Sequence, residues 1–188
     1  MTASLFAAVE LAPRDPILGL TESFNADPRA SKVNLGVGVY FDDSGKVPLL
    51  AAVKGAEKAR LEAAPSRGYQ PIEGLAAYNQ IVQKMLFGEG SPLLAEGRVV
   101  TFEALGGTGA LKVGADFLRR LLPGATVFLS DPSWENHRAL FEYAGFPVQT
   151  YPYYDAATRG VDFSCMQAGL NSLPAGSIVV LHACCHNP

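Results

Sequence analysis

Val99-Val100-Thr101-Phe102-Glu103-Ala104-Leu105-Gly106-Gly107-Thr108-Gly109-Ala110-Leu111 is the stretch on which the fold turns. Its first six residues, Val99 to Ala104, predict a strand, and its glycines lead into a helix running to Leu122. That helix places Ala110, Val113, Phe117, Leu118 and Leu121 on one face. Pro123-Gly124 ends it. The alternation then repeats toward the C-terminus. Thr126-Val127-Phe128-Leu129 reads as a short apolar strand, Trp134 to Ala144 as a helix, and Val148 to Tyr151 as a strand. Asp162 to Leu170 reads as a helix and Ile178 to Leu181 as another buried strand. Strands apolar on both faces and separated by helices predict an α/β fold: a mainly parallel sheet covered on each side.

Toward the N-terminus the rhythm is looser. Gly74 to Phe87 predicts a helix, with Leu75, Tyr78, Ile81, Val82 and Met85 at helical spacing. Arg67 to Pro71 is loop, and Leu50 to Ala63, rich in Ala, Lys, Glu and Leu, predicts a helix. Lys32 to Phe41 is β-like but interrupted by Gly36 and Gly38. Asp42-Asp43-Ser44-Gly45 is a turn. Ile17 to Phe24 reads as a short helix after the punctuation of Pro13-Arg14-Asp15-Pro16. The sequence runs to Pro188, just past the last strand and with no helix to cover it, which predicts a domain cut short.

Composition removes several function classes. A hydrophobic content of 48% against 18% charged residues is that of a core-forming chain. With a net charge of -3 and no basic run, there is no electrostatic footprint for nucleic acid. Met1 to Pro13 lacks a basic start and carries Glu10, so it is a poor signal peptide. Ile178 to Leu181 is far too short to span a membrane. The 3 cysteines, with Cys184 and Cys185 adjacent, give no disulfide framework and point to a reducing, cytoplasmic setting.

Three strand ends carry candidate chemistry. Gly106-Gly107-Thr108-Gly109 lets backbone approach a ligand and aims the first N–H groups of a helix outward as anion donors. It lacks both the dinucleotide fingerprint and the Gly-Lys-Ser/Thr of a nucleotide loop. By itself it also serves as a tight helix–sheet junction. In Ser130-Asp131-Pro132-Ser133-Trp134-Glu135-Asn136-His137, Trp134 offers a flat face to a ring, or simply fills a core or caps a helix. His137 follows one turn later, without a second ligand at metal spacing. His182-Ala183-Cys184-Cys185-His186-Asn187 resembles no common zinc pattern, so metal is not expected. Asn187 there either donates to a ligand or forms an ordinary turn.

Taken together these motifs resemble the class I aminotransferases that act on aspartate and aromatic amino acids. Val33-Asn34-Leu35-Gly36-Val37-Gly38-Val39-Tyr40, Asp15-Pro16-Ile17-Leu18-Gly19-Leu20 and Leu86-Phe87-Gly88 match in the same order. The resemblance implies fold type I, a pyridoxal 5'-phosphate cofactor, amino-acid and 2-oxo-acid substrates, and a homodimer. It implies that residues 1–48 form an N-terminal arm and small-domain segment, and 49–188 the first part of the cofactor-binding large domain. Gly107 and Thr108 would hold the cofactor phosphate, Trp134 would stack on the ring, and Asn187 would bond its phenolic oxygen. His137 would support the carboxylate facing the ring nitrogen. Tyr69 would reach the phosphate of the other subunit, and Gly38 would lie against bound substrate. Trp134 and Asn187 would also touch substrate. Asp131-Pro132 and Asn187-Pro188 sit where cis peptide bonds recur.

The resemblance also implies that the Schiff-base lysine, the carboxylate facing the ring nitrogen, a tyrosine and the arginine for the substrate carboxylate lie beyond the chain. None of Lys32, Lys46, Lys54, Lys58, Lys84 and Lys112 matches that lysine, so no catalytic residue is expected here and the chain alone is expected to be inactive. The wording around Gly107 and Trp134 leans to the aromatic (tyrosine) branch. Two alternatives stay open: a lyase or decarboxylase of the same fold, and a non-catalytic phosphate-binding or interaction module.

Overall fold

A computed structural model describes residues 4–10, 18–36 and 38–187. The chain forms two compact units, 1–67 and 68–188, each taken by itself.

The first unit is built from local interactions. Helix α1 spans Leu18–Ala26 and α2 Ala51–Ala63. Lys32 Nζ donates to the carbonyls of Phe24 and Asp27, both at 2.6 Å, and sits over the Phe24 ring. At the expected turn, the Asp42 carboxylate accepts the N–H groups of Ser44 at 2.9 Å and Lys46 at 3.0 Å. Gly45 takes a φ of 74°, a backbone state glycine reaches without steric cost. These bonds, that of the Ser44 hydroxyl first, hold the Asp42 carboxyl below its ordinary pKa. No strand forms among the described residues of 32–41. Val33 and Leu35 are exposed and no neighbouring strand offers them a ladder. Pro13 to Ile17 and Val37 lie outside the described residues.

In the second unit the order is α3 (Ala76–Phe87), α4 (Pro92–Ala95), α5 (Gly106–Leu121), β1 (Val127–Asp131), α6 (Glu135–Tyr143) and β2 (Val148–Pro152). Then come β3 (Tyr154–Asp155), β4 (Gly160–Val161), α7 (Phe163–Asn171) and β5 (Ile178–Val179). The sheet order is β2-β1-β5, all parallel, with β3 and β4 as a separate antiparallel pair. Val127 pairs with both Val148 and Ile178. A strand flanked on both sides and covered by helices must be apolar throughout, and Val127 to Ser130 are all buried. Ala115 of α5, Phe141 of α6 and Phe146 close the core around Val127 and Leu129, with Leu118, Val148 and Ile178 at its edge.

Three further expectations are corrected. Val99 to Ala104 is not a strand. It is tied to its surroundings through Gln83 to Thr101 Oγ1 at 2.9 Å, Glu103 N–H to the Glu73 carbonyl at 3.0 Å, and Leu75 N–H to the Glu103 carboxylate at 2.9 Å. A strand requires a ladder partner, and none is present among the described residues. The second correction concerns α5. Ala115 and Leu118 face the core, whereas Val113, Phe117 and Leu121 of the expected face are exposed. The helix carries two apolar stripes, and the small Ala115 lets its own stripe approach β1. β5 is also two residues shorter than the expected Ile178 to Leu181.

Candidate cofactor site

The candidate residues of the second unit lie on three local frames. The first is the start of α5. Gly106 has a φ of 64°, so this is the glycine the turn requires, whereas Gly107 is not in the left-handed region. A Cβ at either glycine would meet nothing within 4 Å. Leu105 provides no side-chain cap, and the first bond back across the turn comes from Gly109 N–H to the Leu105 carbonyl at 3.2 Å. The N–H groups of Gly107 and Thr108 therefore have no intrahelical acceptor. With the helix dipole, they form an open anion-accepting end. Thr108 also lines an open pocket of ≈ 610 Å³, with Gly109, Lys112, Asn136, Ala139, Leu140 and Tyr143. Lys112 is paired with Asp116 one turn along the same helix.

The second frame is the turn from β1 into α6. The Asp131–Pro132 bond is cis. Ser133 Oγ lies 2.9 Å from His137 Nδ1. The half-buried Trp134 meets His137 edge-to-face, with ring centroids 5.2 Å apart.

The third frame follows β5, whose parallel pairing beside β1 puts both carboxyl ends on one edge of the sheet. This is the edge at which open α/β sheets take ligands. His182 packs edge-on against His137 at 5.0 Å and stacks on His186 at 4.3 Å. His186 stacks in turn on Tyr153 at 4.1 Å and lies 2.9 Å from Ser130 Oγ. The Asn187 N–H donates to His182 Nδ1 at 3.1 Å, and the Asn187 side chain is exposed. Trp134, His137, His182, His186 and Tyr153 thus form one continuous column of rings.

The column has an electrostatic consequence. Burial holds the His137 pKa below its ordinary value of 6.5, and the neighbouring His182 and His186 lower it further. His182 is lowered by burial and then by His186. The Asn187 bond needs an unprotonated His182 Nδ1, so a neutral ring is also the one that holds Asn187 in place. Among the described residues, no group of three or more His, Cys, Asp and Glu side chains is placed to hold a metal ion.

The geometry therefore brings Trp134, His137 and Asn187 together through the ring column, and leaves Gly107 and Thr108 at the open end of α5. Tyr69 is fully exposed. Gly38 belongs to the first unit, where a Cβ would meet nothing within 4 Å. The Asn187–Pro188 bond lies outside the described residues. Sequence reasoning passed over His182, His186, Ser130 and Tyr153. The two histidines stood in the run weighed for zinc, but their stacking on each other and on Tyr153 depends on a crossing of chain segments that spacing does not reveal.

A family model for class I and II aminotransferases matches residues 30–188. An aspartate aminotransferase from Pseudomonas aeruginosa is 71% identical over 98% of this chain and 46% of the relative. An aromatic-amino-acid aminotransferase from Escherichia coli is 53% identical over 98% of this chain and 47% of its own. Among solved structures, an aromatic-amino-acid aminotransferase from Burkholderia pseudomallei, covalently bound to pyridoxal phosphate, superposes with a TM-score of 0.93. It shares 69% identity and covers 99% of this chain and 47% of that one. The chain thus spans about half the length of the relatives it matches. The fold is the fold type I α/β architecture expected from the motifs, and the chain belongs to the class I and II aminotransferase family.

Proposed function

We propose that the protein of which this chain is a part is an amino-acid aminotransferase, moving an amino group from an aromatic or dicarboxylic amino acid to 2-oxoglutarate. The observation that carries this reading is the open first turn of α5 in a chain of this family: Gly107 and Thr108 present unpaired N–H groups where a phosphate would dock. The bare backbone at Gly106 and Gly107 fits a phosphorylated cofactor, since an anion can approach without meeting a side chain. Pyridoxal 5'-phosphate, when bound, supplies an electron sink for the substrate's α-carbon.

The chain's own residues would hold and orient that group. Gly107 and Thr108 would anchor the phosphate and Trp134 would cover the ring. Asn187, held by His182, would donate to the ring's phenolic oxygen. His137, fixed by Ser133, would support a carboxylate at the ring nitrogen. Gly38 would border the substrate, and Tyr69 would serve the phosphate of a second subunit in a homodimer. In this reading residues 1–48 belong to the arm and small domain and 49–188 to the large domain. In this reading none of the lysines of the 188 residues is the bonding one; Lys112, one turn into α5, is engaged with Asp116. The 188 residues alone are inactive, and the protein works in the cytoplasm.

Donor preference leans to aromatic amino acids. Both aspartate and aromatic enzymes stand among the relatives, so the test compares the two donors. Protein purified at its native length, saturated with pyridoxal phosphate, is assayed with tyrosine and with aspartate against 2-oxoglutarate. Turnover with either donor supports the reading, and faster tyrosine turnover supports the lean. A Thr108→Ala variant should weaken cofactor affinity. Cofactor binding without transfer, with release of carbon dioxide or an eliminated group, would favour a lyase or decarboxylase. Absence of cofactor binding would favour an interaction module.

A further inference from the structure

His186 has no role in the reading above, yet it is held on both faces and at one edge. Its ring stacks on Tyr153 at 4.1 Å, with the planes 10° apart, and on His182 at 4.3 Å and 24°. Two rings stacked that closely cannot share a face, so His186 is sandwiched between them. Its Nε2 lies 2.9 Å from the hydroxyl of Ser130, a β1 residue that is 2% exposed. With both faces covered and this nitrogen engaged, the ring has little left to offer a ligand. What it does is fix its own backbone.

That backbone leads directly into Asn187. The Asn187 N–H donates to His182 Nδ1 at 3.1 Å, and His182 is the ring stacked on His186. The loop thus closes on itself, from ring to ring, from ring to N–H, and back along the chain. Such a closure sets the shape of the loop but not its place on the sheet. His182 adds an edge-on contact with His137, but ring packing is less directional than a hydrogen bond. The Ser130 bond supplies the place, because β1 is paired on both sides. Ser130 also stands at the start of the turn that carries Trp134.

We propose that His186 is a positioning residue: by joining Ser130 to the 182–187 loop, it places Asn187 relative to Trp134 and so sets the hydrogen bond that Asn187 gives to the phenolic oxygen of pyridoxal phosphate. The proposal rests on the cofactor reading above and adds that the Asn187 donor is anchored from β1. Donation to that oxygen favours its ionised form. Loosening the His186 clasp therefore weakens cofactor binding and raises the pH at which the bound cofactor ionises.

The test uses protein at its native length, as wild type and as His186→Ala, Ser130→Ala and His186→Gln. Two quantities are read: the dissociation constant for pyridoxal phosphate, and the pH midpoint of the bound cofactor's absorption change. His186→Ala should weaken binding about 3- to 10-fold and raise the midpoint by about 0.5 to 1 unit, the worth of one hydrogen bond. Ser130→Ala removes the anchor and leaves the stack, so it should move both quantities the same way by less. His186→Gln brings an amide within reach of the Ser130 hydroxyl and should restore both toward wild type. Where His186→Ala fails to fold, Ser130→Ala and His186→Gln carry the test, since Ser130→Ala deletes a single oxygen. A clasp that is merely structural would lower thermal stability and leave the absorption midpoint in place. Wild-type protein that binds no pyridoxal phosphate overturns the cofactor reading and the proposal together. Wild-type binding with the midpoint unmoved in the folded Ala variants overturns the proposal alone.

Discussion

Val127–Asp131 and Val99–Ala104 are both short and β-prone, yet only the first is a strand. β1 has β2 on one side and β5 on the other, and α5 and α6 supply Ala115 and Phe141 to its apolar side chains. The other stretch has a few side-chain tethers and no ladder, and its Val100 and Phe102 are exposed. The difference teaches that a β-prone run does not by itself secure the hydrogen bonds of a strand. Those come from segments distant in sequence.

The sharpest way to break this comparison is to cut the core at β1. Leu129→Ala, at a 2% exposed position, should cost about 2–5 kcal/mol in chemical denaturation of the 188-residue chain. A small loss there would mean that β1 is not the centre of the cooperative unit.

Acid should attack the same half of the molecule through the ring column. The folded pKa values of His137 and His182 lie below the ordinary 6.5, so the unfolded chain binds more protons as pH drops. Their contribution is complete above 6.5 and is lost as pH falls through the lower folded values. Thermal denaturation midpoints should therefore decline over that window, and a His137→Asn variant should decline less. Parallel curves for the two proteins would remove His137 from the account.

A local device should matter less than either. The Asp162 carboxylate accepts the Cys165 N–H at 2.9 Å and caps α7. Asp162→Ala should cost about 1 kcal/mol. An effect as large as that of Leu129→Ala would show that α7 is coupled to the core beyond its cap.

Val100→Ala closes the series, with an expected change within about 0.5 kcal/mol because the side chain is 73% exposed. A loss approaching that of Leu129→Ala would show that 99–104 finds a pairing partner in solution, and the comparison with β1 would fail.

Much of the architecture was legible because its signals are local. Pro123-Gly124 stops α5, Asp162 starts α7, and Asp42 organises its turn through bonds to residues two and four positions away. Trp134 and Asn187 could also be placed beyond strand ends, which mark the ligand edge of a parallel sheet, and Gly107 and Thr108 at the glycine turn that opens α5.

The sequence by itself determined α3, α5, β1, α6, β2, α7 and β5 in their order, the parallel class of the sheet, and the glycine turn that leaves two helical N–H groups unpaired. Each depends on residues within a few positions of one another, where propensity and periodicity act. Only the tertiary structure decided which apolar stripe of α5 meets the sheet, that Val99–Ala104 stays outside it, and that Tyr153, His186, His182, His137 and Trp134 stack in one column. Those outcomes depend on contacts between segments up to tens of residues apart, whose geometry is set by packing rather than by the order of residues along the chain.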